Sequence, residues 1–258
     1  MPNDLQPYLL PLVVALVVFV AFWPLSVRRD DVSIVDLFWG PGFLLQLVVA
    51  GWVVGISGAR DWLLLGLIGL WAIRLGFVIA RRTWVHEGED PRYAIIRRAW
   101  GTAFWWKSLF IVFVLQAAIQ WLIALGPISG LVLGSGSIGL LGWGGVAVAL
   151  IGLAFEASAD AQLDAFKRTA APGALCTTGL RAHVRHPNYL GEVIFWIGIG
   201  LLVFDGGVWM GLVSPLLIGF FLTYVSGVPI LDEHLASSRQ EYAAYRRRVP
   251  AILPRILG

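Results

Sequence analysis

The sequence predicts an all-α integral membrane protein: one transmembrane domain over residues 1–258, a bundle of seven transmembrane helices with the N-terminus outside and the C-terminus cytoplasmic. Composition is the first reason. Of 258 residues, 58% are hydrophobic and 14% charged, with a mean hydropathy of +0.78, whereas a soluble domain is roughly 45–50% apolar and about 25% charged. The second is the recurrence of mainly apolar stretches near the ~20 residues that hydrocarbon demands. The third is the placement of the cations between those stretches.

Taken in order, the apolar stretches lie at residues 8–27, 36–56, 62–80, 104–124, 138–156, 189–204 and 208–228. The first has no positive n-region and no small-residue cleavage site after it, so a retained helix is expected and not a signal peptide. The second opens in "SIVDLFWG" and the third carries Arg74; Asp36 and Arg74 either pair across these spans or face a substrate. Gln116 and Gln120 lie one turn apart on the fourth, which suits hydrogen bonding between helices. The Gly-rich stretch 134–145 reads as a loop entering the fifth span, on a helix that packs closely against a neighbour. It holds no phosphate-loop lysine and follows no strand, which argues against a Rossmann site. Asp205, Gly206 and Gly207 leave a tight hairpin between the sixth and seventh spans. The connections "SGARD", "GPISGLVLGSGS" and "DGG" look short and bland. Residues 229–258 form a cytoplasmic tail, where Leu235, Tyr242, Tyr245 and Val249 predict one amphipathic helix ending near Pro250 that either lies on the membrane surface or closes over a cytoplasm-facing pocket.

Of 19 Lys and Arg residues, Arg74 lies inside a span and Arg60 between the second and third. The other 17 fall at 28–29, in 81–107, in 167–185 and in 239–255, the alternate connections that seven spans place on one side. By the positive-inside rule that side is the cytoplasm. This accounts for the net charge of +3 without a nucleic-acid partner. A single cysteine, Cys176, excludes an intrachain disulfide.

The cytoplasmic connections carry the chemistry. In "FEASADAQLDAFKR", Glu156, Asp160, Asp164 and Lys167 recur at helical spacing and share one face. Such a stripe is either a solvated helix end or a ligand site, in which carboxylates bond ribose hydroxyls and the lysine meets a phosphate. In "RHPNYLGEVIFW", Pro187 suits a first helical turn, so the sixth span starts at about His186. Its N-terminal amides favour an anion, with Arg181, Arg185, His183 and His186 nearby. Glu192 lies one turn below Asn188, and a carboxylate at that depth calls for a partner or a water-filled cavity. Asp232, Glu233 and His234 follow the seventh span. "HEGEDPRY" and the histidines at 86, 183, 186 and 234 match no metal-ligand spacing, so no metal is expected.

Together, "SIVDLFWG", "GEDPRY", "FEASADAQLDAFK", "RHPNYLGE" and the tail "SGVPILDEHLASSRQEYAAYRRRVPAILP" resemble a bacterial family of membrane proteins related to steroid 5-alpha-reductases and, more distantly, to sterol reductases. The resemblance runs over nearly the whole chain. It implies a seven-helix fold whose cytoplasm-facing pocket holds NADPH and passes hydride to a carbon–carbon double bond of a lipid. Carried over by position, it implies cofactor contacts from Asp160, Lys167, Asn188, Glu192 and Trp196, and from Tyr242 or Tyr245 with Arg246 or Arg247 in the tail; the residue pattern adds Asp164, Arg181, Arg185, His186 and Tyr189 as cofactor-binding candidates.

The chain departs from the steroid enzymes in the third span, where Trp71 and Val78 flank Arg74 in place of substrate-facing tyrosines. Asp36 is then the candidate acid, with Arg74 and Glu192 as further catalytic candidates. Membrane methyltransferases of the isoprenylcysteine and phospholipid type also open a helix with "RHP-x-Y-x-G" and hold S-adenosylmethionine there. A non-enzymatic scaffold or carrier is a third class. The acid–lysine stripe and the surplus of cations favour a cofactor with several phosphates. The expectation is therefore an NADPH-dependent reductase in the bacterial inner membrane, acting on a lipophilic enone, steroid-like or isoprenoid, that enters from the bilayer lipids.

Overall fold

The computed structural model describes residues 5–85, 88–171 and 173–253. Every regular element among them is helical, and seven helical segments are long and apolar enough to cross a membrane. The chain divides into two compact units, Met1–Trp143 with Gly200–Ser214, and Gly144–Ile199 with Pro215–Gly258.

The first unit begins with α1 (Gln6–Arg29), which ends where Asp30 takes the left-handed conformation at φ 50°. A 3₁₀ stretch, Val32–Phe38, follows, its start capped by the Asp31 carboxylate accepting from the Ser33 amide. It leads into α2 (Trp39–Val54), and α3 runs from Ala59 to Val85. Most of the expected connection 81–103 is itself helical: α3 runs into it, and Asp90 caps α4 (Pro91–Trp100), with Pro91 in the first turn, where its missing N–H costs nothing. A 3₁₀ turn (Gly101–Ala103), α5 (Phe104–Ser108) and a π-helical segment (Leu109–Val114) then lead into α6 (Leu115–Leu133).

The core of this unit gathers Ala15 and Phe19 of α1, Val32 and Val35, Tyr93, Phe104, Val112, Phe113 and Ala117. Gln120 does join helices as its position suggested. It accepts from Gln46 of α2 at 2.8 Å and donates to the Trp39 carbonyl at 2.7 Å.

Residues 126–133, expected within a connection, are helical: α6 continues through Pro127 to Leu133. Packing overrides the loop-like composition: Gly126 abuts Met210 and Ser214, and Gly130 abuts Val203 and Leu64, so a side chain at either would collide. The three connections read as bland are also bound together. Arg60, only 5% exposed, donates to the carbonyls of Ser135 (2.6 Å), Gly136 (3.3 Å) and Ser137 (3.2 Å) and to Asp205 at 2.6 Å. Asp205 in turn accepts from the Gly139 amide at 3.0 Å.

The second unit holds most of α7 (Leu140–Thr169), the first part of α8 (Pro187–Asp205), the end of α9 (Val213–Phe220), a π-helical segment (Phe221–Val225), α10 (Val228–Ser238) and α11 (Tyr242–Arg248). The helix starting at Pro187 and the unbroken run of α7 past Glu156 agree with the sequence reading. The tail differs: it is two helices, α10 and α11, separated at 239–241, with Arg239 extended at φ −142°. Helices α7 and α8 cross at small residues. A Cβ on Gly191 would lie 2.6 Å from the Glu156 nitrogen, and one on Gly198 would lie 2.5 Å from the Gly145 carbonyl oxygen. Glycines there let two backbones approach as side chains would not allow.

Candidate functional site

Asp36 and Arg74 lie in the first unit; the remaining candidates lie in the second. Asp36 sits in the 3₁₀ stretch, and both its oxygens are engaged from α4: Oδ2 by Arg92 at 2.6 Å and Oδ1 by the Tyr93 hydroxyl at 2.6 Å. The Tyr93 oxygen also accepts from Gln116 at 2.7 Å. Arg92 is held at its Nε by Asp90 at 2.9 Å, and Asp90 takes Arg82 at 2.9 Å. Burial works against the Asp90 carboxylate, but Arg92 and Arg82 outweigh it and hold the group below its ordinary range. A second cluster lies alongside, where Arg97 donates to Glu89 at 2.8 Å and to Asp30 at 2.5 Å. Helix α4 thus supplies two partners of Asp36, Arg92 and Tyr93, that the choice between Arg74 and a substrate did not include. Arg74 is half-buried on α3.

In the second unit the polar stripe of α7 is graded. Glu156 is buried, 2% exposed; Asp160 and Asp164 are half-buried; Lys167 is exposed. At the crossing, α8 brings Gly191 against the Glu156 backbone, which places a second buried carboxylate, Glu192, one residue away, below Asn188. Trp196 is fully buried one turn further on. Beyond the other end of α7, Lys167, Phe166, Gly173, Ala174 and Arg239 line a small cavity of about 220 Å³. Arg239 is fixed there by donating to the carbonyls of Gly173 and Ala174.

The segment before α8 and the tail meet at Asp232, which is 2% exposed on α10. Its Oδ2 accepts from Arg185 at 2.7 Å, and its Oδ1 meets His186 Nε2 at 2.8 Å and the Tyr242 hydroxyl. Arg246 Nε lies 3.4 Å from the same carboxylate. Backbone bonds strap the chain ends together: the amides of Arg185 and His186 donate to the carbonyls of Pro250 (2.9 Å) and Ala251 (3.0 Å), and the Arg185 side chain donates to Val249 at 2.5 Å. Tyr245 donates to the Arg181 carbonyl at 2.6 Å, while Arg181 reaches the Ala159 carbonyl of α7 at 3.3 Å. The Tyr189 ring stacks on His186, centroids 5.4 Å apart. Burial raises both tail phenols, Tyr242 well above the ordinary range with Asp232 adding to it, and Tyr245 to about 12, so both stay protonated as donors.

The sequence-predicted residues therefore fall into two groups. Asp160, Asp164, Lys167, Asn188, Glu192 and Trp196 belong to α7 and α8. Arg181, Arg185, His186, Tyr189, Tyr242, Tyr245 and Arg246 belong to the strap around Asp232. Asp232 is the residue that sequence reasoning left without a role. The surplus of cations at 181–186 and 246–248 was the available signal. Next to the strap lies a groove of about 670 Å³, lined by Thr223, Pro229, Asp232, Glu233, Ser237 and Arg246. Among the described residues no group of three His, Cys, Asp or Glu side chains is placed to hold a metal ion, and His86 lies outside them.

The family described as "protein of unknown function (DUF1295)" matches residues 22–249. The chain is a member of the DUF1295 family. The DUF1295 match spans every candidate from Asp36 to Arg246 and reaches the Arg185 contact at Val249. The cobalt-zinc-cadmium resistance protein CzcN of Cupriavidus metallidurans is 32% identical over 82 residues, 32% of this chain and 36% of that protein. The chain thus spans about a third of the length of the curated relative it matches. No solved structure matches.

Proposed function

We propose that this chain is an NADPH-dependent reductase that adds hydride to a carbon–carbon double bond of a lipophilic enone, steroid-like or isoprenoid. The observation that carries the reading is the graded stripe of α7. It runs from a buried carboxylate at the α7–α8 crossing to a cationic cavity beside Lys167 and Arg239. The two ends are about 16 Å apart along the helix. That length suits a ligand with a ring at one end and phosphates at the other.

Lys167 and Arg239 would hold a phosphate, Asp160 and Asp164 would accept from ribose hydroxyls, and Asn188 with Glu192 would meet the carboxamide of the nicotinamide ring. The donor set fits: two cations for the charged end and acceptors for the hydroxyl-bearing middle. NADPH supplies the hydride when bound. The chain's part is to orient the ring beside the α7–α8 crossing and to keep water from it. Asp36 carries no assigned step in this reading; its oxygens accept from Arg92 and Tyr93. The cation-rich connections support a cytoplasmic position for the site, with the N-terminus outside, in a bacterial inner membrane. The shared segment with CzcN is too short to carry metal resistance over to this chain.

The test is binding by the full chain in detergent, with NADPH, NADH and S-adenosylmethionine measured side by side. NADPH should bind, and Lys167→Ala and Arg239→Ala should each weaken it about tenfold, the size of a lost charge-assisted hydrogen bond. Tight S-adenosylmethionine binding without response to either nicotinamide would overturn the reading.

A further inference from the structure

We infer that the groove between α10 and α11 is a headgroup site for a zwitterionic lipid whose amine is a primary ammonium, as in phosphatidylethanolamine. Asp232, which floors the groove, is already saturated by Arg185, His186 and Tyr242. The two charges left facing the groove are of opposite sign. Arg246 turns only its Nε toward Asp232, and its side chain remains 58% exposed. Glu233 is exposed and makes no hydrogen bond or ion pair with any described residue. A ligand that satisfies both brings an anion to the guanidinium and a cation to the carboxylate.

The lining narrows the cation. Thr223, Val228, Pro229, Ala236 and Ser237 complete the wall, with no aromatic ring among the lining residues. A quaternary ammonium is recognised by aromatic faces, whereas a carboxylate and hydroxyls suit a primary ammonium that donates hydrogen bonds.

The apolar part follows from the span below. Leu216 (71% exposed), Phe220 (51%) and Tyr224 (72%) recur every fourth residue, and the rings of Phe220 and Tyr224 lie 5.8 Å apart on one face. Thr223, the neighbour of Tyr224, lines the groove, so the stripe leads into it. The assignment does not depend on which cofactor the α7–α8 site holds.

Native mass spectrometry of the full chain released from nanodiscs with equal phosphatidylethanolamine, phosphatidylcholine and phosphatidylglycerol tests this. The first retained lipid should be phosphatidylethanolamine, enriched about threefold, the size expected of a partly exposed ion pair. Glu233→Gln and Arg246→Gln should each remove the enrichment, and Glu233→Lys should turn it toward phosphatidylglycerol. Unfolding temperatures measured in parallel separate a lost site from a lost fold. Absence of enrichment, or enrichment that survives both neutral substitutions in folded protein, overturns the site. Displacement by water-soluble glycerophosphoethanolamine as readily as by the lipid would remove the apolar stripe from it and overturn the lipid assignment.

Discussion

Each unit contains a buried arginine–aspartate pair, and the two pairs differ in what else converges on them. Arg60 spends its guanidinium mainly on the carbonyls of Ser135, Gly136 and Ser137, and Asp205 adds the Gly139 amide. The pair satisfies the backbone of a loop that cannot make its own hydrogen bonds. Asp232, by contrast, collects Arg185, His186 and Tyr242, with Arg246 at its edge and a groove beside it. A buried ion pair alone does not mark a site. Convergence of several ionisable side chains beside open volume is the stronger sign.

The sharpest way to break this comparison is to remove one charge from each pair while keeping its shape. Asp232→Asn leaves Arg185 and His186 buried without a carboxylate. Breaking a buried pair costs about 3–5 kcal/mol, and the lower end, about 3, applies here because the Arg246 side is open to water. Thermal unfolding in detergent should show the loss, and trypsin should cut faster after Arg246–Arg248. Asp205→Asn should cost clearly less, since an amide oxygen still accepts from Arg60 and Gly139 and Arg60 keeps its carbonyls. Equal losses would mean that both pairs serve only the backbone.

The next effect concerns the helix crossing that orders the candidate site. Gly191→Ala puts a methyl group 2.6 Å from the Glu156 nitrogen, in backbone that cannot move aside. Overpacking of this kind costs about 1–3 kcal/mol. Gly144→Ala on the same α7 meets nothing within 4 Å and should stabilise slightly. If both substitutions lower the unfolding temperature alike, close approach is not what those glycines provide.

The sequence makes the transmembrane segments legible because apolar length is a property of the chain itself: all seven stretches correspond to helical segments able to span. The start of α8 was legible for a similar reason, since Pro187 acts locally. What escaped was decided at long range. Gly126, Pro127 and Gly130 look like a loop until Val203 and Ser214 pack on them. Asp36 finds its partners in a stretch counted as a connection, and Asp232 meets Arg185 and His186 from 46 to 47 residues away. Nothing local distinguishes Asp232 from its exposed neighbour Glu233. The stripe of α7 was visible as spacing, but its grading from buried to exposed was not.

A smaller loss follows from Tyr242→Phe, which keeps the buried ring and removes only the hydroxyl that donates to Asp232. A hydrogen bond to a charged group is worth about 1.5 kcal/mol at the low end. The variant should unfold earlier by that amount, with less tail cleavage than Asp232→Asn. A loss as large as that of Asp232→Asn would make the phenol, and not the carboxylate, the organising group.

The smallest effect at neutral pH, and one confined to a defined window, belongs to Tyr245. Burial raises its phenol to about 12 in the folded protein, against about 10 in an unfolded chain. A group whose folded value is raised binds its proton more tightly when folded, so its contribution is complete below about pH 10 and is lost as pH rises toward about 12. The unfolding temperature should fall across that window, and Tyr245→Phe should flatten part of the fall while giving up the bond to the Arg181 carbonyl. Absorbance titration reads the ionisation directly. A tyrosine signal complete near pH 10 in folded protein would show that the tail is not packed as the Asp232 strap requires.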